Sequence, residues 1–405
     1  MQVASLPTRF TSLQQEFRQE LIAIADWWAA HTVDYEQGGF YGEIDAENQP
    51  VKNASKGIIL NARILWFFSE VAQEVDNPAY RSCATRAYNY VIAHFFDNEQ
   101  GGVYWELDAA AVPINTKKQV YAQAFTIYAL CAYYQLTRDE QALERALECF
   151  KLVEQYAIDH THQGYLEAFT REWDVLEDLR LSDKDLNFPK SQNTHLHILE
   201  AYTTLYQAKP STEIKAALKY NILMFDKYII DRNTHHLRMF MDLEWKDFSP
   251  GYTYGHDIEA SWLIAKALES SGDDAYRDAL TPTLIKIAQV TMDEAIGEQG
   301  QVIDSYDFAT CKINPDTVWW VQAEALVGFV YAYTTCGEER FYRAAENVWQ
   351  FIKTYQIDHK QGEWHWLSNL DEPDMDAYYK VGFWKCPYHN GRAMMEAIRY
   401  LNKLV

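Results

Sequence analysis

Apolar residues recur every three to four positions in twelve stretches of the chain, a spacing typical of α-helices. In six of these stretches apolar residues surround nearly the whole helix, as expected for helices that are buried on both sides. These six stretches are 56–74, 120–136, 192–208, 256–270, 318–335 and 389–404. The other six carry charged residues on one face and cover about 12–30, 79–96, 139–157, 213–230, 278–294 and 339–355. The pattern predicts six buried helices inside an outer layer of six amphipathic helices.

A short glycine-aromatic element recurs between the helical pairs. It reads EQGGFYG around Gly39, EQGGVYW around Gly102, HQGYLEAF around Gly164 and KQGEWHW around Gly362, with weaker versions near His236 and Gly300. These anchor positions lie 62 to 72 residues apart, which indicates one repeated structural unit rather than several domains. We therefore predict an all-α fold, a single (α/α)6-barrel domain over residues 1–405. The glycine-aromatic elements would form short β-hairpins on its rim, where the inner helices begin.

The net charge of −22 disfavours binding to polyanionic partners. Nucleic acids and anionic membrane surfaces require clustered Lys and Arg, so we expect neither as a partner. The chain contains no uninterrupted apolar run of about 18 residues, and its first residues lack the apolar core of a signal peptide, so we expect no membrane span. The six cysteines are widely spaced without a CxxC motif, which favours reduced thiols in a cytoplasmic protein.

The aromatic content of 15% is compatible with a thick aromatic core or with a pocket whose rings stack on a ligand. The starts of the predicted inner helices carry the candidate polar residues for such a pocket. In chain order they are Arg63; Tyr121; Asn193 and His197; His256 and Glu259; Trp319, Trp320 and Glu324; and His389, Asn390 and Arg392. A barrel brings these positions to one opening, where the positive ends of six helix dipoles favour a developing negative charge.

Three histidines in register, His197, His256 and His389, favour acid–base chemistry over isolated structural roles. His256 and Glu259 are three residues apart and share a helix face, and a carboxylate beside a histidine fixes its tautomer and raises its basicity. Arg63 lies in the nearly charge-free run ILNARILWFF. Because buried arginines require a partner, Arg63 faces either a structural carboxylate or an anionic reaction intermediate.

A metal site and a glycosidase site are two other possible uses of these residues. His195 and His197 are two apart on a helix and point to different faces, and the chain has neither HExxH nor a cysteine cluster, so we predict no catalytic metal. Glu259 and Glu324 could serve as the two carboxylates of a glycosidase, but that role leaves the three histidines unused. Motifs for nucleotide phosphates and for a nucleophilic serine are absent, so no cofactor is expected.

Five segments resemble the cellobiose 2-epimerase family, within the N-acylglucosamine 2-epimerase superfamily. They read KGIILNARILWFFSE, NTHLHILEAYTTLY, YGHDIEASWL, WWVQAEALVGF and WKCPYHNGR and are spread over nearly the whole chain. The resemblance implies an (α/α)6 barrel that agrees with the fold predicted from the repeat. It also implies a small-molecule sugar substrate, whose reducing end is interconverted between D-glucose and D-mannose configuration at C2 without an added cofactor.

The resemblance also implies residue roles, carried over by motif. His389 of KCPYHNGR and His256 of GHDIEA would form the acid–base pair at C2, with His389 also assisting ring opening. His197 and Arg63 would hold the oxygens of the enediolate, and Glu259 would support His256. The residues implied to position or stack the sugar are Tyr121, Asn193, Asp185, Trp319 and Trp384.

The chain departs from the family pattern beside the sugar pocket. Phe383 replaces an expected proline next to Trp384, and Gln119 and Gln192 stand where histidine and methionine are expected. The motifs favour a β-1,4-linked disaccharide such as cellobiose or mannobiose, with the rim segments 181–192 and 367–384 deciding whether a second sugar fits. The alternatives are a 2-epimerase of free mannose and glucose, an aldose–ketose isomerase, and a non-catalytic sugar-binding protein.

Overall fold

The computed structural model describes residues 6–370, 374 and 377–404. Its inner helices are α2 (Ile58–Glu74), α4 (Val120–Thr137), α6 (Gln192–Ala208), α8 (Tyr254–Ser271), α10 (Trp319–Cys336) and α12 (Tyr388–Asn402). Its outer helices are α1 (Leu6–His31), α3 (Pro78–Tyr90), α5 (Glu140–Tyr156), α7 (Thr212–Met224), α9 (Asp274–Ala295) and α11 (Glu339–Phe351). Each inner helix contacts the next one, and α12 returns to α2, so the ring is closed. The predicted (α/α)6 barrel is confirmed.

The two layers differ in burial as the sequence pattern predicted. Every residue of α2 from Ile58 to Val71 and of α4 from Val120 to Tyr133 is buried, because both faces of these helices pack against other helices. Helix α11 instead buries one face, which includes Phe341, Val348 and Trp349. The apolar residues of both layers belong to one continuous core. Burial of this apolar surface is the main force that holds the two layers together.

Three outer helices end in a single π-helical turn. These turns are Val91–Phe95 after α3, Phe225–Ile229 after α7 and Ile352–Gln356 after α11. The next residue in each case, Phe96, Ile230 or Ile357, makes the bridge that starts a glycine-aromatic hairpin. The turn thus redirects the chain from the outer layer onto the rim.

All six glycine-aromatic elements form the predicted tight hairpins. Their closing bridges are Val33–Phe40, Phe96–Val103, Ile158–Tyr165, Ile230–Leu237, Ile296–Val302 and Ile357–Trp364. Gly39 and Gly102 have φ angles of 63° and 68°, in the left-handed region that favours glycine. In the fourth repeat His235 adopts the same region with a φ of 63°, which explains why that element is harder to see in the sequence.

Short antiparallel strands complete the rim. They are β1 (Lys56–Gly57), β2 (Glu106–Leu107), β3 (Pro113–Asn115), β4 (Lys118–Gln119), β5 (Ala168–Phe169), β6 (Lys190–Ser191), β7 (Phe240–Met241), β8 (Gly251–Thr253), β9 (Ser305–Asp307) and β10 (Lys312–Asn314). They pair as β1–β2–β3, β4–β5, β6–β7 and β8–β9–β10. In the first sheet Lys56 lies opposite Leu107 and Gly57 opposite Glu106. Strands β1, β4, β6 and β8 run directly into inner helices, so the hairpins surround the helix starts.

Buried ion pairs join the rim to the ends of outer helices. Each links a lysine ammonium to an aspartate in a glycine-aromatic turn: Lys56 to Asp34 at 2.8 Å, Lys118 to Asp97 at 3.0 Å, Lys190 to Asp159 at 2.9 Å and Lys380 to Asp358 at 2.7 Å. The same aspartates accept hydrogen bonds from backbone N–H groups of their own turns. Full pairing is what permits these charges to be buried.

None of the described helices combines the length and apolar character needed to cross a bilayer. No disulfide joins the six cysteines, and Cys83, Cys131, Cys149 and Cys386 are buried as free thiols.

A buried amide fixes each of two hairpins to the inner helix that follows it. The Gln322 side chain accepts from Val302 N at 2.9 Å and donates to Val302 O at 2.6 Å. Gln123 makes the equivalent pair of hydrogen bonds with Val103. Both backbone groups of each valine therefore depend on one side chain.

We expect Gln322→Leu to lower the free energy of unfolding by about 2–4 kcal/mol, because it leaves two buried backbone groups of Val302 without partners. Denaturant unfolding followed by circular dichroism measures the change. Gln299→Leu, at an exposed glutamine of the same repeat, is the control and should change stability by less than about 0.5 kcal/mol. Equal stability of the two variants would contradict the role of the amide.

Candidate active site

The barrel brings His197 of α6, His256 of α8 and His389 of α12 together at the start of the inner helices. The indole of Trp320 lies between two of them, with ring centroids 4.8 Å from His256 and 5.5 Å from His389. A Cβ on Gly255 would stand 2.5 Å from this indole, so the glycine permits its close approach. The His197 ring lies 4.9 Å from that of Tyr121.

Beneath the histidines lies a buried cluster of charged side chains, centred on Arg392. Its guanidinium donates hydrogen bonds to Glu200, Glu259 and Glu324, which come from three other inner helices. The same cation lies 4.8 Å from the ring of Trp262. All members of this cluster are almost inaccessible to solvent. The cluster therefore ties α6, α8, α10 and α12 to one another at the barrel axis.

Two of the histidines are joined to this cluster through Nδ1. The Nδ1 atom of His389 lies 2.7 Å from Glu324 Oε1, and that of His197 lies 3.2 Å from Glu200 Oε2. Burial opposes the charged form of Glu200, but Arg392, His197 and the Tyr388 hydroxyl outweigh it and hold the pKa of Glu200 below its usual range. Burial raises the pKa of Glu324, with Arg392 opposing this and Glu259 adding to it.

His256 has a different partner. The spacing of three residues on α8 predicts a contact between the Glu259 carboxylate and the His256 ring. The structure gives that contact to Thr253, whose Oγ1 lies 2.7 Å from His256 Nδ1. The Glu259 carboxylate lies one turn deeper and bonds Arg392, and its Oε2 atom has no hydrogen-bond partner among the described residues.

The three imidazoles are held in their neutral form. Burial lowers the pKa of His256 to about 3, with the nearby His197 acting in the same direction. Burial also lowers the pKa of His389, and the charges of Arg63 and Arg392 add to this. For His197, burial lowers the pKa and outweighs the opposing effect of Glu200. Neutral imidazoles present a free lone pair at neutral pH, which proton abstraction requires.

Arg63 is buried at the same opening and has no carboxylate partner among the described residues. Its guanidinium donates to the Tyr121 hydroxyl at 2.8 Å and to the Trp384 carbonyl at 3.5 Å. It lies 4.2 Å from the centroid of the Phe125 ring and 4.6 Å from that of Tyr388. A structural carboxylate, one of the two possible partners of Arg63, is therefore absent from the part of the chain that the structure describes.

The residues expected to position the sugar occupy two sides of the opening. The rings of Tyr121 and Trp384 are 6.2 Å apart beside Arg63. Asn193 and Asp185 line a cavity together with His256, and the Asp185 carboxylate accepts from both Ser182 N and Oγ at 2.8 Å. Tyr121 thus lies beside His197, and Asn193 and Asp185 share a cavity with His256.

Trp319 lies apart from this group. It is buried against Trp366, with ring centroids 4.4 Å apart, whereas the neighbouring Trp320 contacts the histidines. Within the predicted rim segment 367–384, Tyr378 and Tyr379 pack on Trp366, and positions 371–373, 375 and 376 lie outside the described residues.

Several residues of the opening were not assigned roles from sequence: Glu200, Thr253, Trp320, Tyr388 and Arg392. A signal for two of them exists in the spacing. Each of the three histidines is followed three positions later by a charged residue, namely Glu200, Glu259 or Arg392. Residues three apart share a helix face, so this repeated spacing indicates a charged layer one turn below the histidines.

A metal ion is the alternative use of the acidic cluster. Ligand atoms of Glu259, Glu324 and His389 lie within 4.8 Å of one another, a grouping that could bind a cation. The Arg392 guanidinium donates to both of these carboxylates. The protein thus supplies its own positive charge at this point, and the donor set does not fit an additional cation.

Comparison with known proteins places the chain among sugar epimerases. The family model of N-acylglucosamine 2-epimerase (GlcNAc 2-epimerase) matches residues 39–391. A cellobiose 2-epimerase of Bacteroides fragilis is 41% identical over 388 residues, which cover 95% of this chain and 98% of that protein. One from Ruminococcus albus is 38% identical, covering 95% and 97% respectively.

Solved structures agree with the sequence comparisons. The cellobiose 2-epimerase of Bacillus thermoamylovorans has a TM-score of 0.91 at 36% identity, covering 96% of this chain and 99% of that one. In the sequence comparison, a D-mannose isomerase of Marinomonas mediterranea is a more distant relative, with 21% identity over 90% of this chain and 92% of that protein. The prediction of a sugar 2-epimerase is confirmed at the level of the family. The chain belongs to the N-acylglucosamine 2-epimerase family, alongside its cellobiose 2-epimerases.

Proposed function

We propose that this protein interconverts D-glucose and D-mannose configuration at the reducing end of β-1,4-linked disaccharides such as cellobiose and mannobiose. A base removes the C2 proton of the open-chain aldose, and the electron pair moves to O1 to give an enediolate. An acid then protonates C2 on the opposite face. The reaction is balanced without an added cofactor, because one proton leaves and one proton returns.

The observation that carries the proposal is the buried, carboxylate-free guanidinium of Arg63 beside neutral imidazoles. A proton next to an aldehyde is weakly acidic, so its removal requires stabilisation of the negative charge that forms. Arg63 supplies a cation whose charge no described carboxylate neutralises, and the converging starts of the inner helices add partial positive charge. An enediolate is the anionic partner that this arrangement suits.

The histidines would divide the proton transfers between them. His256 and His389 flank Trp320 and would act as the acid–base pair at C2, with His389 also assisting ring opening. His197 would help Arg63 to hold the enediolate oxygens. Glu259 would act through Arg392 rather than through His256, and its second oxygen has no hydrogen-bond partner among the described residues.

The preference for a disaccharide is supported by relatives and by an aromatic surface outside the histidine pocket. The relatives of 41% and 38% identity are both cellobiose 2-epimerases. Phe383 packs on Trp105 and Trp384 with ring centroids 5.0 and 5.2 Å apart, and Trp384 and Phe383 are partly exposed. Aromatic faces of this kind stack on sugar rings.

We also expect the protein to act in the cytoplasm, since its cysteines are free thiols.

The first test is product analysis in D₂O with cellobiose, mannobiose, glucose and mannose, in the presence of a chelator. We expect the C2 epimer as the product, with deuterium at C2 accumulating at the rate of turnover. A ketose or a cleaved sugar would contradict the proposal. So would an activity that the chelator abolishes and one divalent metal restores.

The second test separates the charge of Arg63 from its contribution to folding. We expect Arg63→Met to lower kcat/KM by about 100- to 1,000-fold, because a donor to the developing oxyanion is lost. The free energy of unfolding should fall by only about 1 kcal/mol, since the hydrogen bonds to the Tyr121 hydroxyl and the Trp384 carbonyl are lost but no carboxylate loses a partner. Steady-state kinetics and thermal unfolding measure the two effects.

The matched control is Arg399→Met at the opposite end of the barrel. Arg399 pairs with Glu70 and Glu74, and with Lys266 it lowers the pKa of the buried Glu396 to about 2. Its loss should lower the free energy of unfolding by about 1–3 kcal/mol while kcat/KM stays unchanged. Near-normal activity of Arg63→Met would contradict the proposed role of Arg63.

The third test decides the size of the substrate. If a second sugar binds beyond the histidine pocket, kcat/KM for mannobiose should exceed that for mannose by about tenfold or more, corresponding to ~1–3 kcal/mol of transition-state binding. Phe383→Ala should reduce this ratio while leaving kcat/KM for mannose nearly unchanged. A ratio that favours mannose would identify a 2-epimerase of free monosaccharides with the same chemistry.

A further inference from the structure

Thr253 occupies the N-cap position of α8 but does not cap the helix. A threonine at this position ordinarily accepts a hydrogen bond from a backbone N–H two or three residues later. Ser191 of α6 and Ser211 of α7 do this, each accepting at 3.1 Å from the third residue onward. The Thr253 hydroxyl makes no such bond and lies instead 2.7 Å from the Nδ1 atom of His256, the third residue of the helix.

The ring of His256 is therefore held on two sides. Thr253 fixes its Nδ1 atom, and the Trp320 indole packs against the ring at 4.8 Å. The Nε2 atom is the nitrogen that stays available to a ligand, and His256 lines the cavity that also contains Asn193 and Asp185.

All three histidines of the opening share this orientation, but their Nδ1 partners differ in charge. His197 has the ionised carboxylate of Glu200, whose pKa is held below its usual range, and His389 has the carboxyl group of Glu324, whereas His256 has a neutral hydroxyl. A carboxylate stabilises the imidazolium that forms when a histidine accepts a proton. A hydroxyl that accepts the Nδ1–H fixes the tautomer with much less of this stabilisation, so the histidine gives its proton back more easily.

We propose that Thr253 is a positioning residue for His256, whose Nδ1–H it accepts so that the Nε2 lone pair faces C2 of the sugar. The effect on the tautomer is a property of the free protein. The effect on turnover rests on the proposed function. The two therefore require separate measurements.

The first measurement is the ring nitrogen spectrum of ¹⁵N-histidine-labelled protein, with His256 assigned by the loss of its signals in His256→Gln. We expect wild type and Thr253→Ser to carry the His256 proton on Nδ1. Thr253→Val should shift the proton toward Nε2, while the signals of His389 stay in place. A His256 tautomer that is the same in Thr253→Val and wild type would overturn the proposal, whatever the activity of the protein.

The second measurement is steady-state epimerisation. Thr253→Val should lower kcat by about tenfold to a hundredfold with KM little changed, and Thr253→Ser should recover most of it. The melting temperature of Thr253→Val should equal that of wild type, because no helix cap is lost. Ser211→Ala is the opposite control, with a melting temperature lowered by about 1–2 °C and an unchanged kcat.

The outcomes separate the two hypotheses. If wild type does not epimerise sugars, the proposed function fails, and the nitrogen spectra still decide the role of Thr253. If wild type is active and Thr253→Val keeps its kcat, the positioning role is overturned while the epimerase stands. A lower kcat that Thr253→Ser does not recover would also count against the hydroxyl.

Discussion

The inner ring depends on one buried guanidinium, that of Arg392, placed among three glutamates from three other helices. An unpaired ion at this depth would be strongly unfavourable, so each partner is required by the others. The same cluster occupies the barrel axis directly below the histidines. Its geometry fixes how four inner helices are rotated, and so it also fixes which of their side chains point into the opening.

The barrel opening is built in two layers that follow from helical spacing. Histidines form the upper layer, and the charged residues three positions later form the lower one. Burial lowers the pKa of all three imidazoles, and the charges of Arg63 and Arg392 add to this at His389. Glu200 and Glu324 orient two of the rings through Nδ1. In the mechanism we propose, the lower layer prepares the upper one for proton transfer, since a base must be both neutral and correctly oriented.

Sequence alone predicted the helices, the closed ring and the opening, because these depend on periodic burial and on a repeat that recurs six times. It also selected the histidines and Arg63. Sequence could not predict which side chains of different inner helices form hydrogen bonds with one another, since these contacts depend on the rotation and depth of each helix. Glu259 shares a face with His256 yet reaches Arg392, and Thr253 lies in the strand before the helix, outside the helical pattern. Trp319 and Trp320 are adjacent, so periodicity did not decide which one faces the histidines.

Arg63 and Arg392 show how the same side chain serves two purposes in one barrel. Both are buried, both lie over the Tyr388 ring, and both come from the second turn of an inner helix. Arg392 is surrounded by carboxylates that neutralise its charge, and these ion pairs hold the helices together. Arg63 contacts a phenol, a carbonyl, the Cys386 thiol and the faces of Phe125 and Tyr388, and no described carboxylate neutralises its charge. A protein that buries a cation in this way gains stability when an anion binds beside it, and in the mechanism we propose that anion is the deprotonated substrate formed in the pocket of neutral imidazoles.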